Sequence, residues 1–248
     1  RHLLIRDAAY DAVAKSRRAE LHERFADWLE RVAGEAVSEE EEIVAYHLER
    51  AFAYRRELGP ADGRSDALGH RAALRLAAAG RRAAARGDLP AAVGLLSRAA
   101  SVGPDRGVER AWTLYHLGAA LQEAGDEPAA LAALDEAVRL AESADDRSLG
   151  WRARIARTEV QNEVDPRSVP TATARAEIEA AIEALTELGD EAGLADAWTK
   201  LGFIEFQPCR FDHAARAEAR AVAYARACGD DRLLFDALRL RMLSESYG

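Results

Sequence analysis

The chain has 248 residues, 49% of them hydrophobic but only 6% aromatic, and 34 Lys and Arg stand against 43 Asp and Glu for a net charge of −9. That acidic balance argues against extended non-specific binding to DNA, RNA or an anionic membrane. No run of about 18 apolar residues is present to span a bilayer, and two cysteines, Cys209 and Cys228, make no disulfide framework.

Ala and Leu supply most of the apolar content, and 32 of the 34 basic residues are Arg, with Lys only at Lys15 and Lys200. Such a composition predicts an all-α protein. The charge is uneven: −3 over residues 1–60, +4 over 61–110, −9 over 111–190 and −1 over 191–248.

In chain order, residues 2–14 carry a short helical pattern. Ser16 reads as the N-cap of a helix over 17–33, in which Leu21, Phe25, Trp28, Leu29 and Val32 recur at the spacing of one buried face. Ser38 with Glu41 has the form of a capping box, so the acidic run Glu39–Glu42 reads as a helix start rather than a metal site. That helix ends at Gly59-Pro60, and residues 60–66 read as a loop.

Helix pairs follow. They are predicted at 67–86 with 89–101, 107–124 with 127–143, 147–163 with 172–188, and 191–207 with 211–228, and a last helix spans 231–246. Gly87-Asp88, Gly125-Asp126, Asp145-Asp146, Gly189-Asp190 and Gly229-Asp230 punctuate them. Each second helix carries one mark: Ala92-Leu96-Ala99, Ala130-Leu134-Ala137, Ala174-Ile178-Ala181, and Ala214-Glu218-Ala221. Their starts lie 38, 44 and 40 residues apart. A period in that range, built from helix pairs, predicts an α-solenoid. The long step contains the stiff connection Asp165–Pro170.

The repeats resemble tetratricopeptide repeats (TPR). The first offers Leu76, Gly80, Ala92, Leu96, Ala99 and Pro104, the second Leu114, Leu117, Gly118, Leu121, Ala130, Leu134 and Ala137, and the fourth Trp198, Leu201, Gly202, Ala214 and Ala221. The helices are longer than that family's standard. Thr158 stands where the third repeat should have Gly, and Glu218 occupies a normally apolar position. The resemblance implies a right-handed solenoid of helix hairpins over 61–248 behind an N-terminal helical region, residues 1–60.

A second resemblance lies in Arg1–Tyr10, Arg17–His22 and Ala45–Ala51. These runs are similar to the segment that follows the ATPase module in bacterial STAND-class signalling ATPases, among them adenylate/guanylate cyclase-like proteins and LuxR-type transcriptional regulators. It implies a sensor or scaffold arm of a cytoplasmic protein, with the parent's ATP-binding module as one partner. A chain that starts Arg1-His2-Leu3 and has its one Met at 242 is expected to be a fragment.

No P-loop, zinc-like His/Cys spacing, G-x-S-x-G elbow or EF-hand loop occurs, so no catalytic residue, metal or cofactor is expected here. Two features point to binding. Arg71, Arg75, Arg82 and Arg86 share one helix face, either a solvated surface or a dock for an acidic partner, protein or nucleic acid. By the TPR resemblance, first helices line the groove. That assigns Trp112, Tyr115, Gln122 and Glu123, then Ile155, Glu159 and Asn162 with Arg152, then Thr199, Phe203 and Phe206 with Asp196. Aromatics with carboxamides and carboxylates suit a peptide bearing basic and apolar side chains. Closure over a small-molecule effector is the other reading, and some of the aromatics would be ordinary packing between repeats.

Overall fold

A computed structural model describes residues 8–34, 37–60, 62–164 and 170–247. The junction run Arg1–Asp7 and the connection 165–169 lie outside the described residues. After a helical turn at 8–11 come α1 (Lys15–Ala33), α2 (Val37–Leu58), α3 (Gly63–Ala85), α4 (Leu89–Val102), α5 (Val108–Glu123), α6 (Glu127–Ser143), α7 (Arg147–Val164), α8 (Thr171–Leu188), α9 (Glu191–Phe206), α10 (Phe211–Cys228) and α11 (Asp231–Tyr247). Among the described residues there is no strand. The fold class is all-α, a succession of helix hairpins of the solenoid kind.

The turns work as their residues dictate. Asp88, Asp126 and Asp190 each cap the following helix by accepting a hydrogen bond from the backbone N–H three residues on. The preceding residues Gly87, Gly125 and Gly189 hold φ of 76°, 79° and 68°, the left-handed region that glycine enters without a Cβ penalty. After α6 the same place falls to Asp145 at φ 54°.

The chain forms two compact units. In the first, Arg1–Ala120, the α1–α2 hairpin packs on α3 through Ala26, Val44, Leu48, Ala51, Leu68 and Ala72, with Phe52 and Val102 against them. Axes come close enough to forbid a methyl group. A Cβ on Gly69 would lie 2.5 Å from the Val102 carbonyl oxygen, and one on Gly80 would lie 2.7 Å from Leu96 Cγ.

The second unit is Leu121–Gly248. Its core joins Ile155 of α7, Ile178, Ala181 and Leu185 of α8, Leu194, Ala197 and Leu201 of α9, and Ala217 of α10. The alanine marks are its seams, and those of α4. Ala92, Ala99, Ala130, Ala137, Ala174, Ala181, Ala214 and Ala221 are all at most 1% exposed. Both polar departures from the repeat pattern are buried and satisfied. Thr158 donates to Glu177 at 2.5 Å, and Glu218 accepts from Ser244 of α11.

Four expectations need correction. Helix α3 starts at Gly63, inside the stretch read as a loop, because Asp62 and Ser65 form a reciprocal capping box there. Helix α2 starts at Val37, so Ser38 lies within it rather than at the N-cap position before it. Helix α1 starts at Lys15 behind Ala14, not behind a Ser16 cap. Of the expected buried face of α1 only Leu29 packs against the core; Leu21, Phe25, Trp28 and Val32 are turned outward, between 40% and 64% exposed, whereas Ala19, His22, Glu23 and Ala26 face inward.

The close approach at Gly69 gives the first prediction. Gly69→Ala must displace backbone and is expected to cost about 1–3 kcal/mol. Gly94→Ala, inside α4 with nothing within 4 Å of the added carbon, should be neutral or stabilising by up to ~1 kcal/mol. Urea denaturation of both variants checks this; equal stabilities would contradict the packing described.

Candidate functional site

The basic stripe meets carboxylates of its own chain. Arg71 on α3 lies 2.7 Å from Asp27 and 2.8 Å from Glu30 of α1, and Arg75 lies 3.0 Å from Glu30 and 3.4 Å from Glu41 of α2. Arg82 also pairs with Glu41. Arg55 and Arg64 close on Glu23, each at 2.9 Å, and Arg98 of α4 closes on Glu49 at 2.5 Å. Three of the four stripe arginines therefore join the N-terminal hairpin to the first repeat. Arg86 stands apart as the exposed C-cap of α3.

Behind the exposed face of α1 lies a polar cluster that holds the turn at 8–11. Tyr10 Oη sits 2.7 Å from His22 Nε2 and 3.0 Å from Tyr54 Oη, and His22 Nδ1 lies 2.7 Å from His47 Nδ1. Arg50 donates to Tyr54 at 2.7 Å. Burial, then the neighbouring His47 and Arg50, push the His22 pKa down to about 4. Burial lowers that of His47 as well.

The residues assigned to the groove fall in both units, and each set is described within its own. In the first, Trp112 and Tyr115 of α5 are half-buried, their rings edge-on at 5.8 Å, and Trp112 stacks on His116 at 5.8 Å. In the second, Gln122 is half-buried, and exposed Glu123 pairs with Arg232 of α11. Ion pairs join α7 to α9. Arg152 and Ser148 hold Asp190, and Glu159 pairs with Lys200, which also lies 3.5 Å from Asp196. Burial opposes the Asp190 charge, but Arg152, Ser148 and the Gly193 N–H outweigh it and hold the pKa below the ordinary value. Asp196 goes the other way: burial, reinforced by Glu159, raises its pKa against the pull of Lys200.

The same α7–α9 face carries half-buried Asn162 and Thr199, whose hydroxyl donates to the Ala195 carbonyl at 2.8 Å, and Phe203, which is 50% exposed. Phe206 sits edge-on to Phe211 at 5.8 Å. Ile155 does not line a groove; it belongs to the core of the unit. The helix faces assigned from the sequence on α7 and α9 carry these ion pairs, but Lys200 and Asp190 were not among the assigned residues, because their pairings depend on which residue of the next repeat stands opposite. Among the described residues no three His, Cys, Asp or Glu side chains gather as a metal site, and no helix is long and apolar enough to cross a membrane.

No protein-family model and no curated protein matches the chain. Solved structures do. Aspartyl phosphate phosphatase F from Bacillus subtilis superposes with a TM-score of 0.59 at 13% identity, covering 93% of this chain and 58% of its own. The Rap conjugation gene regulator of plasmid pLS20, solved in complex with the Phr* peptide, gives 0.56 at 14%, covering 94% and 74%. A STAND protein with a tetratricopeptide repeat sensor from Pyrococcus horikoshii gives 0.47 at 14%, covering 95% and 38%, too low a score to carry the parent class. These likenesses show the fold. This chain spans 58% of the length of the phosphatase that it matches.

The histidine pair gives a pH prediction. With folded pKa values lowered, the unfolded chain binds more protons below about pH 6.5, so stability rises with pH through that window. The contribution is fully present above about pH 6.5 and is lost as pH falls toward the folded His22 value of about 4. Stability curves of the wild type and His22→Gln from pH 8 to 4 should differ in slope within that window, the variant being flatter. Parallel curves would show that the pair does not carry the shift.

Proposed function

We propose that this chain is a non-catalytic binding and regulatory scaffold whose first helices receive a protein or peptide segment. The observation that carries the reading is the α7–α9 face. There a half-exposed aromatic, Phe203, lies one turn from Thr199 and Lys200 on α9, Lys200 pairs with Glu159 of α7 and with Asp196, and Asn162 follows Glu159 by one turn. A large apolar anchor surrounded by adaptable polar groups is the make-up of a binding hot spot. Glu159 and Asp196 share the Lys200 ammonium, and carboxylates so placed suit basic side chains. The fold neighbour solved with a bound peptide supports the same reading.

The finer assignment is that the scaffold serves as the sensor arm of a bacterial STAND-class ATPase in the cytoplasm. It rests on the junction-like runs Arg17–His22 and Ala45–Ala51 and their resemblance to that class. In this reading the scaffold uses no cofactor. An occupied face biases an on/off equilibrium in the parent's nucleotide-binding module through differential affinity for its two states.

The test is selection of random 12-residue peptides displayed on phage against the whole chain. Enriched peptides should combine basic and apolar residues. Phe203→Ala and Asn162→Ala, with helicity unchanged by circular dichroism, should weaken the best peptide by about five- to thirtyfold. No enrichment, or affinities indifferent to both substitutions, would remove the assignment of this face.

A further inference from the structure

The outward face of α1 carries large apolar side chains that the hairpin core does not use. Leu21, Phe25, Trp28 and Val32 are all exposed, and they follow one another at steps of four, three and four residues. That alternation is the seam of a coiled coil, where apolar residues recur on average every 3.5 positions. At 1.5 Å per residue the seam is about 17 Å long. Its rings pack on one another and on the next helix: Phe25 lies 5.5 Å from Trp28 and 4.5 Å from His47 of α2. His47 in turn meets Tyr46 edge-on at 5.2 Å, so exposed Tyr46 and Ile43 of α2 widen the patch. Scattered apolar residues on a surface are ordinary, but a contiguous patch marks an interaction site.

The two edges of the seam differ. On one, His22 and Leu29 are turned into the hairpin, His22 against Tyr10 and His47, and Leu29 against the core. On the other, Arg17, Arg24 and Arg31 recur every seven residues and are all exposed. Arg24 and Arg31 stand immediately before the seam residues Phe25 and Val32. Positions so placed are the ones from which a coiled-coil helix pairs with charges on its partner. Glu20 lies 2.5 Å from Arg17 and 3.8 Å from Arg24, but ion pairs this exposed contribute little, and a partner's carboxylates can replace them.

We infer that the outward face of α1 receives an amphipathic helix of another protein, its apolar stripe on the seam and a row of carboxylates along Arg17, Arg24 and Arg31. Charge selects this occupant. An antiparallel second copy of α1 would set arginine edge against arginine edge, a repulsive pairing. A parallel copy would need the edge that is closed inside the hairpin. The exposed stripe of α11, Phe235, Leu238 and Met242, has Arg239 and Arg241 on its two edges and repels the same row. Residues 1–7 bring two arginines against one aspartate. An anionic membrane fits less well, because Glu20 and exposed Glu42 border the patch and the chain carries −9 overall. The site lies in the first unit and does not depend on the α7–α9 face.

The test uses two labelled peptides of about 28 residues, four heptads with Leu at the seam positions. One carries Glu on both edges of its seam and the other Lys. Fluorescence anisotropy against the whole chain should show saturable binding of the Glu peptide, and roughly tenfold or weaker binding of the Lys peptide. Trp28→Ala should weaken the Glu peptide by roughly tenfold or more, and the double variant Arg24→Glu, Arg31→Glu should reverse the order of the two peptides. Phe203→Ala should leave both affinities unchanged. No saturable binding up to millimolar Glu peptide, equal affinity for the two peptides, or a loss caused by Phe203→Ala instead of Trp28→Ala would overturn the inference. So would a dimer in sedimentation equilibrium that Trp28→Ala dissociates, which gives the face to a second copy. Binding to phosphatidylserine vesicles that the same substitution abolishes would give it to a membrane. If Trp28→Ala alters the circular dichroism, the more exposed Val32→Asp and the arginine reversal decide.

Discussion

Close packing of helices through alanine and glycine is the constraint on which the rest of the structure depends. Eight alanines of the repeat marks are sealed in seams between helices, and Gly69 and Gly80 sit where no methyl group would fit. Small side chains let helix axes approach, and close axes keep dispersion contacts dense over long, regular interfaces. A solenoid built this way places each hairpin by its neighbour. That is why residues distant in sequence, such as Arg152 and Asp190 or Glu159 and Lys200, meet across α7 and α9. The surface proposed for binding is a by-product of that geometry, since α9 meets α7 with one face and packs against α8 and α10 with others.

Polar groups refine this packing rather than drive it. The N-terminal hairpin is joined to the first repeat by an apolar contact around Leu48 and Leu68, and a ladder of arginine–carboxylate pairs fixes its register. Pairs that are partly exposed contribute little apiece. Glu41 and Glu23 are buried, however, and their arginines answer desolvated charge. The strongly basic 61–110 segment and the acidic N-terminal region are thus two halves of one interface.

Much of the fold was legible from local chemistry. Aspartate N-caps, left-handed glycines and the spacing of the alanine marks set helix limits to within a few residues, because capping and close packing act through near neighbours. Three things were not legible. Asp62 and Ser65 capped α3 from within a stretch rich in loop residues. The apolar face of α1 was read as buried because His22 and Glu23 look like surface residues until Tyr10, His47, Arg55 and Arg64 are placed around them. The residues assigned to a groove could be placed on helix faces, but their pairings could not be read. Lys200 and Asp190 required knowing which repeat position faces which, and no local signal carries that register.

The most direct test of the packing constraint compares two adjacent alanines of α8. Ala181 is sealed in the core seam, and Ala180 faces solvent. Ala181→Leu is expected to lower stability by about 1–3 kcal/mol through overpacking, while Ala180→Leu should change it by no more than about 0.5 kcal/mol, both measured by urea denaturation monitored by circular dichroism. Equal stabilities for the two variants would contradict the claim that close helix approach at the alanine seams holds the fold together.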